Sequence, residues 1–107
     1  MATTTLTGTT GNDILNAPGS VTTLVAGYQG ADTITLNMTG DGAQGGAGTD
    51  SISINITGSA DVTVSGGAGV DTITTNTAVT SLGGSLGLND GDDLFSNSAN
   101  IQLVGAT

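Results

Sequence analysis

A glycine-rich turn that ends in aspartate and hands over to alternating apolar residues recurs along this chain, and its spacing restricts the fold more than any other feature. Asp13 sits in GNDIL, Asp32 in GADTIT, Asp50 in GGAGTDSIS, Asp71 in GGAGVDTIT and Asp93 in GDDLF. The successive intervals are 19, 18, 21 and 22 residues (32−13, 50−32, 71−50 and 93−71). A repeat of this length is too short for a domain. It is long enough for one coil of a solenoid made of two short strands and two turns, whose apolar face is buried only when coils stack.

The chemistry of the unit supports that reading. Glycines let the backbone take positive φ, and a short aspartate places a carboxylate beside exposed carbonyls. In Asp71-Thr72-Ile73-Thr74 the side chains alternate, so Ile73 points inward while Thr72 and Thr74 face water. The same alternation runs through Thr33–Met38, with Ile34, Leu36 and Met38 inward, and through Ser51–Ile56, with Ile52, Ile54 and Ile56 inward. Strands are also expected at Met1–Thr7, Ile14-Leu15, Val21–Ala26, Asp61–Val64, Thr72–Thr77 and Ile101–Val104. Asp41–Gln44 reads as a poor strand with only Ala43 to bury. The long interval before Asp93 predicts a bulge or a loosened return around Val79–Leu88. Asparagines at the turns fit either a ladder between coils or plain turn preference.

Gly66–Thr74 and Gly45–Ser53 satisfy G-G-x-G-x-D-x-U-x at every fixed position, U being a large apolar residue. Gly27–Thr35 (GYQGADTIT) and Gly8–Leu15 (GTTGNDIL) lack the second glycine, and Asn89–Phe95 (NDGDDLF) matches least. On these residues the chain resembles the RTX-type (repeats-in-toxin) parallel β-roll, a calcium-binding β-solenoid of secreted bacterial proteins. The resemblance implies an all-β parallel β-roll of about five coils with calcium in its glycine-rich turns. It also implies an extracellular or cell-surface location reached by type I secretion. Such rolls carry two nonapeptides per coil and calcium on both edges. Here a good nonapeptide appears once per coil, which implies one calcium edge.

Composition narrows the function. Residues 1–107 read as one domain or as one segment of a longer array; 19 glycines and 2% aromatic residues leave only a thin stack of Ile, Leu and Val for a core. Nine acidic residues, all Asp, face no Lys, Arg or His, giving a net charge of −9. If five carboxylates stack along one edge at a strand spacing of about 4.8 Å, their repulsion has to be met from outside the sequence, and a divalent cation is the obvious agent. Nothing in the chain neutralises a phosphate, so nucleic acid and anionic membranes are disfavoured partners. Without cysteine or histidine, a disulfide framework and a zinc site are excluded, and no apolar run approaches membrane-spanning length.

Asp13, Asp32, Asp50, Asp71 and Asp93 are therefore the candidate calcium ligands, against the alternative of plain turn aspartates. Asp90 and Asp92 either complete the terminal site or lie in a solvated loop. Asp41 and Asp61 fall on the opposite edge, as weak ligands or as solvated turn residues. The sequons at Asn37-Met38-Thr39 and Asn55-Ile56-Thr57 read as chance in a threonine-rich chain. Catalysis is disfavoured, because the carboxylates have no imidazole, thiol, amine or guanidinium to work with. Two readings remain. The favoured one is a secreted structural protein that assembles head-to-tail into a homopolymeric filament, surface layer or matrix, since return strands open and close the chain and no proline blunts either. The alternative is a binding module for ice or a cell-surface ligand, using outward Thr33/Thr35, Ser51/Ser53 and Thr72/Thr74.

Overall fold

A computed structural model describes residues 3–76, 79–87, 94–97 and 102–103. Eleven strands follow one another: β1 (Thr3–Thr7), β2 (Ile14–Asn16), β3 (Thr22–Ala26), β4 (Thr33–Leu36), β5 (Gly42–Ala47), β6 (Ser51–Ile54), β7 (Gly58–Ala68), β8 (Thr72–Thr75), β9 (Val79–Gly87), β10 (Leu94–Asn97) and β11 (Gln102–Leu103). Odd-numbered strands form a six-stranded sheet and even-numbered strands a five-stranded one, each in chain order. Every pairing is parallel. The chain is thus an all-β solenoid of about four turns, with no helix among the described residues.

The alternating sequence explains the two sheets. Leu15, Ile34, Ile52 and Ile73 lie in register on the even strands and are all buried. Leu36 and Ile54 form the neighbouring row, which continues to a buried Thr75. Across the interior, Val25, Ala43 and Val64 stack on the odd strands. Each parallel pair satisfies its backbone groups with the coils before and after it, so poor local strand formers can still be strand. That is why β5, GAQGGA, is six residues long although little in it packs. Leu24 leans over Gly42, its Cδ1 2.9 Å from where a Cβ would stand. Likewise β7 begins three residues before Asp61 and continues through its glycines to Ala68.

The expected irregularity lies at the start of β9. Gly58 pairs with Val79 but Ser59 pairs with Ser81, which leaves Thr80 as the extra residue. The offset between coils rises there from 21 (79−58) to 22 (81−59), matching the longer aspartate interval. The final coil, from Asp93 onward, falls largely outside the described residues.

Register also shows which corner tolerates variation. On the aspartate side the chain advances seven residues each time, from Thr7 to Ile14, Ala26 to Thr33, Gln44 to Ser51, Ser65 to Thr72 and Gly87 to Leu94. The return side takes eight from Asn16 to Leu24, seven from Thr35 to Gly42, ten from Ser53 to Thr63 and eleven from Thr74 to Ser85. The fixed length has a steric cause. Gly46, Gly48, Gly67 and Gly69 have φ of 101°, 132°, 102° and 123°, and a Cβ on any of them would strike a carbonyl of the preceding turn.

An alanine inserted after Thr57, at the variable corner, is therefore expected to cost under about 1 kcal/mol in a urea melt. The same insertion after Gly46 should abolish the cooperative transition. Equal losses at the two corners would contradict this division.

Candidate functional site

Aspartate ends each fixed corner, one residue before the even strand begins. Asp32, Asp50 and Asp71 are 1%, 1% and 0% exposed. Their carboxylates form a directional ladder. The Asp13 N–H donates to Asp32 Oδ1 at 2.9 Å, the Asp32 N–H to Asp50 Oδ1 at 2.9 Å and the Asp50 N–H to Asp71 Oδ1 at 3.0 Å. One oxygen of each carboxylate thus closes a backbone donor of the preceding coil. The sequence suggested that every carboxylate would depend on an outside cation; the backbone in fact meets half of that need.

The other oxygen is different. Oδ2 of Asp32 and of Asp50 is buried and accepts no hydrogen bond. Asp32 Oδ2 lies where a side chain on Gly27 would begin, beside the Gly45 carbonyl oxygen. Asp50 Oδ2 lies in the same way over Gly45, beside the Gly66 carbonyl oxygen. A Cβ would fill each of these cradles, so glycine is required at residues 27 and 45, five before Asp32 and Asp50. An ionised carboxylate buried without a countercharge costs several kcal/mol. Desolvation accordingly pushes the Asp50 carboxyl above its ordinary range; the backbone N–H of Asp32 opposes the rise, and the charges of Asp71 and Asp32 add to it.

The donors at these cradles are all oxygen, which suits a hard cation that takes six to eight oxygens in a flexible shell. Among the described residues no three acidic side chains converge as a metal-binding group. A cation here would complete its shell with turn carbonyls such as those of Gly45 and Gly66.

The remaining candidates separate. Asp13 occupies the same corner, but it is only partly buried and its carboxylate is engaged within its own turn by the Thr9 N–H at 2.6 Å. Asp90, Asp92 and Asp93 lie outside the described residues. Asp41 is not a solvated turn residue. It is 0% exposed; Oδ1 accepts the Thr23 N–H at 2.8 Å, and Oδ2 accepts the N–H groups of Asn37 at 3.2 Å and Met38 at 3.0 Å. Three backbone donors thus satisfy it at the return corner, a role that the Thr-Gly-Asp-Gly turn signature hinted at without specifying. Asp61 is exposed, as a solvated residue would be.

Two further arrays emerge. Asn37 Nδ2 donates to Asn16 Oδ1 at 2.7 Å, Asn55 Nδ2 to Asn37 Oδ1 at 2.9 Å and Asn76 Nδ2 to Asn55 Oδ1 at 2.6 Å, so the asparagines form a ladder and are more than turn formers. The amides of both sequons are occupied in it. On the outer face of the five-stranded sheet, Thr33–Ser51–Thr72 and Thr35–Ser53–Thr74 line up in register. The first row begins at Ile14, 85% exposed, and in the second Ser53 Oγ and Thr74 Oγ1 share a hydrogen bond at 3.3 Å.

Asp41→Ala would strand three buried donors and is expected to cost about 2–5 kcal/mol, to the same extent with and without added calcium in chemical melts. The pH dependence follows from Asp50. Its folded-state pKa is raised above the ordinary 3.8, so its contribution to stability is fully present below that value and is lost as pH rises through the folded value. Metal-stripped protein should therefore melt higher near pH 4 than near pH 7. With saturating calcium the order should reverse, because protons then compete with the ion; parallel slopes in the two series would contradict a cation at this corner. Comparison with protein-family models, curated proteins and solved structures finds no match to this chain.

Proposed function

We propose that this chain is a secreted calcium-binding solenoid with a structural role, the glycine-rich corners at Asp32 and Asp50 holding ions between successive coils. The observation that carries this reading is the pair of buried, unpartnered Oδ2 atoms at Asp32 and Asp50 in a chain without one cationic side chain. Asp71 ends a corner with the same glycine pattern, and Asp93, with Asp90 and Asp92, is the candidate for a fifth, although Leu88 stands there where the earlier corners carry glycine. Calcium supplies the countercharge that the chain lacks and ties the turn of one coil to the next. The residues do the rest: the aspartates fix the coil-to-coil register through Oδ1, and the glycines clear the space that Oδ2 faces.

Extracellular calcium modules bind at roughly 10⁻⁴–10⁻³ M, so folding would follow export from a calcium-poor cytosol. Each site filled at a hundred times its Kd contributes about 2.7 kcal/mol to folding. Assembly is the second part of the proposal. In the described sheets β1 and β2 are outer strands, each paired on one side, and parallel stacking of a second copy would continue both sheets in a heterologous contact that builds a filament. A module for ice or a cell surface is the second reading, favoured by the two in-register hydroxyl rows.

The test is far-UV circular dichroism and light scattering on the full chain. Calcium should convert a weakly stable, low-melting, monomeric sample into a stable one that forms filaments, and excess chelator should reverse it. A spectrum and melting temperature indifferent to chelator would refute the calcium reading. A calcium-loaded sample that stays monomeric at high concentration and shapes ice crystals would move the assignment to the second reading.

A further inference from the structure

The first turn of the array does not fold like the others. At its second position the later turns carry Tyr28, Gly46 and Gly67, with φ of 76°, 101° and 102°; at its fourth they carry Gly30, Gly48 and Gly69, with φ of 106°, 132° and 123°. Thr9 and Gly11 occupy these positions in the first turn, and neither has positive φ. The contrast with Tyr28 is informative. A tyrosine is held in the left-handed region, a strain of about 1–3 kcal/mol, because turns lie on both sides of it. Thr9 is not held there, and its N–H and hydroxyl turn to Asp13 instead. The bond that links these positions lengthens in step, from 2.7 Å between the Ala47 N–H and the Tyr28 carbonyl to 3.5 Å between the Gln29 N–H and the Thr9 carbonyl.

These contacts tie Thr9 to the carboxylate of its own coil. The Thr9 N–H donates to Asp13 Oδ2 at 2.6 Å, and its hydroxyl lies 3.2 Å from Asp13 Oδ1 and 3.1 Å from Oδ2 while accepting the Gly11 N–H at 3.1 Å. Asp13 Oδ2 still lies 2.7 Å from where a Gly8 Cβ would stand, beside the Gly27 carbonyl at 2.9 Å. The cradle has the same outline as those at Gly27 and Gly45, but its carboxylate is already partnered.

We infer that Thr9 is a built-in cap that closes the first ion site: Asp13 takes no calcium, and the ion array starts at Asp32. This inference rests on the calcium reading above. The position is latent, because glycine at residue 9 would complete the pattern G-G-x-G-x-D as Gly8-to-Asp13 and free both the backbone and Asp13. Capping also leaves the first coil with no carboxylate in need of a partner, so a junction with another copy would rest on strand pairing and not on a calcium ion shared through Asp13.

Isothermal titration of the full chain with calcium decides the matter. The unsubstituted chain and Asp13→Asn should bind the same number of ions. Thr9→Gly should bind one more per chain, and adding Asp13→Asn to Thr9→Gly should remove that extra ion. Loss of one ion in Asp13→Asn alone, or no gain in Thr9→Gly, would overturn the cap. Absence of calcium binding in every variant would instead refute the calcium reading itself and the cap with it, an outcome recognisable from the unsubstituted chain alone.

Discussion

The fixed corners at Asp32, Asp50 and Asp71 bury carboxylates in a chain that has no cationic side chain to set against them. In most proteins a buried aspartate finds an arginine, a lysine or a set of N–H donors; here the first two do not exist anywhere in the sequence. Oδ1 of Asp32, Asp50 and Asp71 takes the N–H of the coil before, which locks the coils in register. Oδ2 of Asp32 and Asp50 is enclosed over glycine and beside a glycine carbonyl, with nothing to receive. The seven-residue corner, its positive-φ glycines and the absence of a Cβ facing Oδ2 all serve to bring that oxygen inside.

Asp41 shows how the same residue type behaves where donors are available. At the return corner it is as deeply buried as Asp71, yet its oxygens accept N–H groups from Thr23, Asn37 and Met38. That carboxylate is a structural plug. The two corners thus divide the labour: one is held at constant length by stacked carbonyls, and the other absorbs every insertion, including the Thr80 bulge. The asparagine ladder along Asn16, Asn37, Asn55 and Asn76 adds a second line of coil-to-coil contacts that depends on no ion. Some of the fold's cohesion therefore rests on contacts in which no carboxylate takes part.

Much of this was legible in the sequence because the solenoid's period is written in its aspartates. The Ile34, Ile52, Ile73 row and the hydroxyl rows beside it follow from two-residue alternation, and the 22-residue interval before Asp93 anticipated the bulge. What the sequence concealed has a common cause: backbone donors carry no letter. The ladder of N–H groups onto Oδ1, the three donors at Asp41 and the backbone that makes a strand of GAQGGA are invisible to residue patterns. Thr9 was visible as a missing glycine. That it would turn back on Asp13 rests on its backbone N–H and on a hydroxyl that also accepts the Gly11 N–H, contacts that the motif does not spell out.

The central claim is that a cation completes the buried aspartate corners. A crystal structure of the calcium-loaded chain, with anomalous scattering data, tests it most directly. The account predicts anomalous peaks at the corners about 2.3–2.6 Å from Asp32 Oδ2 and Asp50 Oδ2, with glycine carbonyls completing each shell. Those two oxygens found protonated or bonded to water, with no anomalous signal beside them, would contradict it.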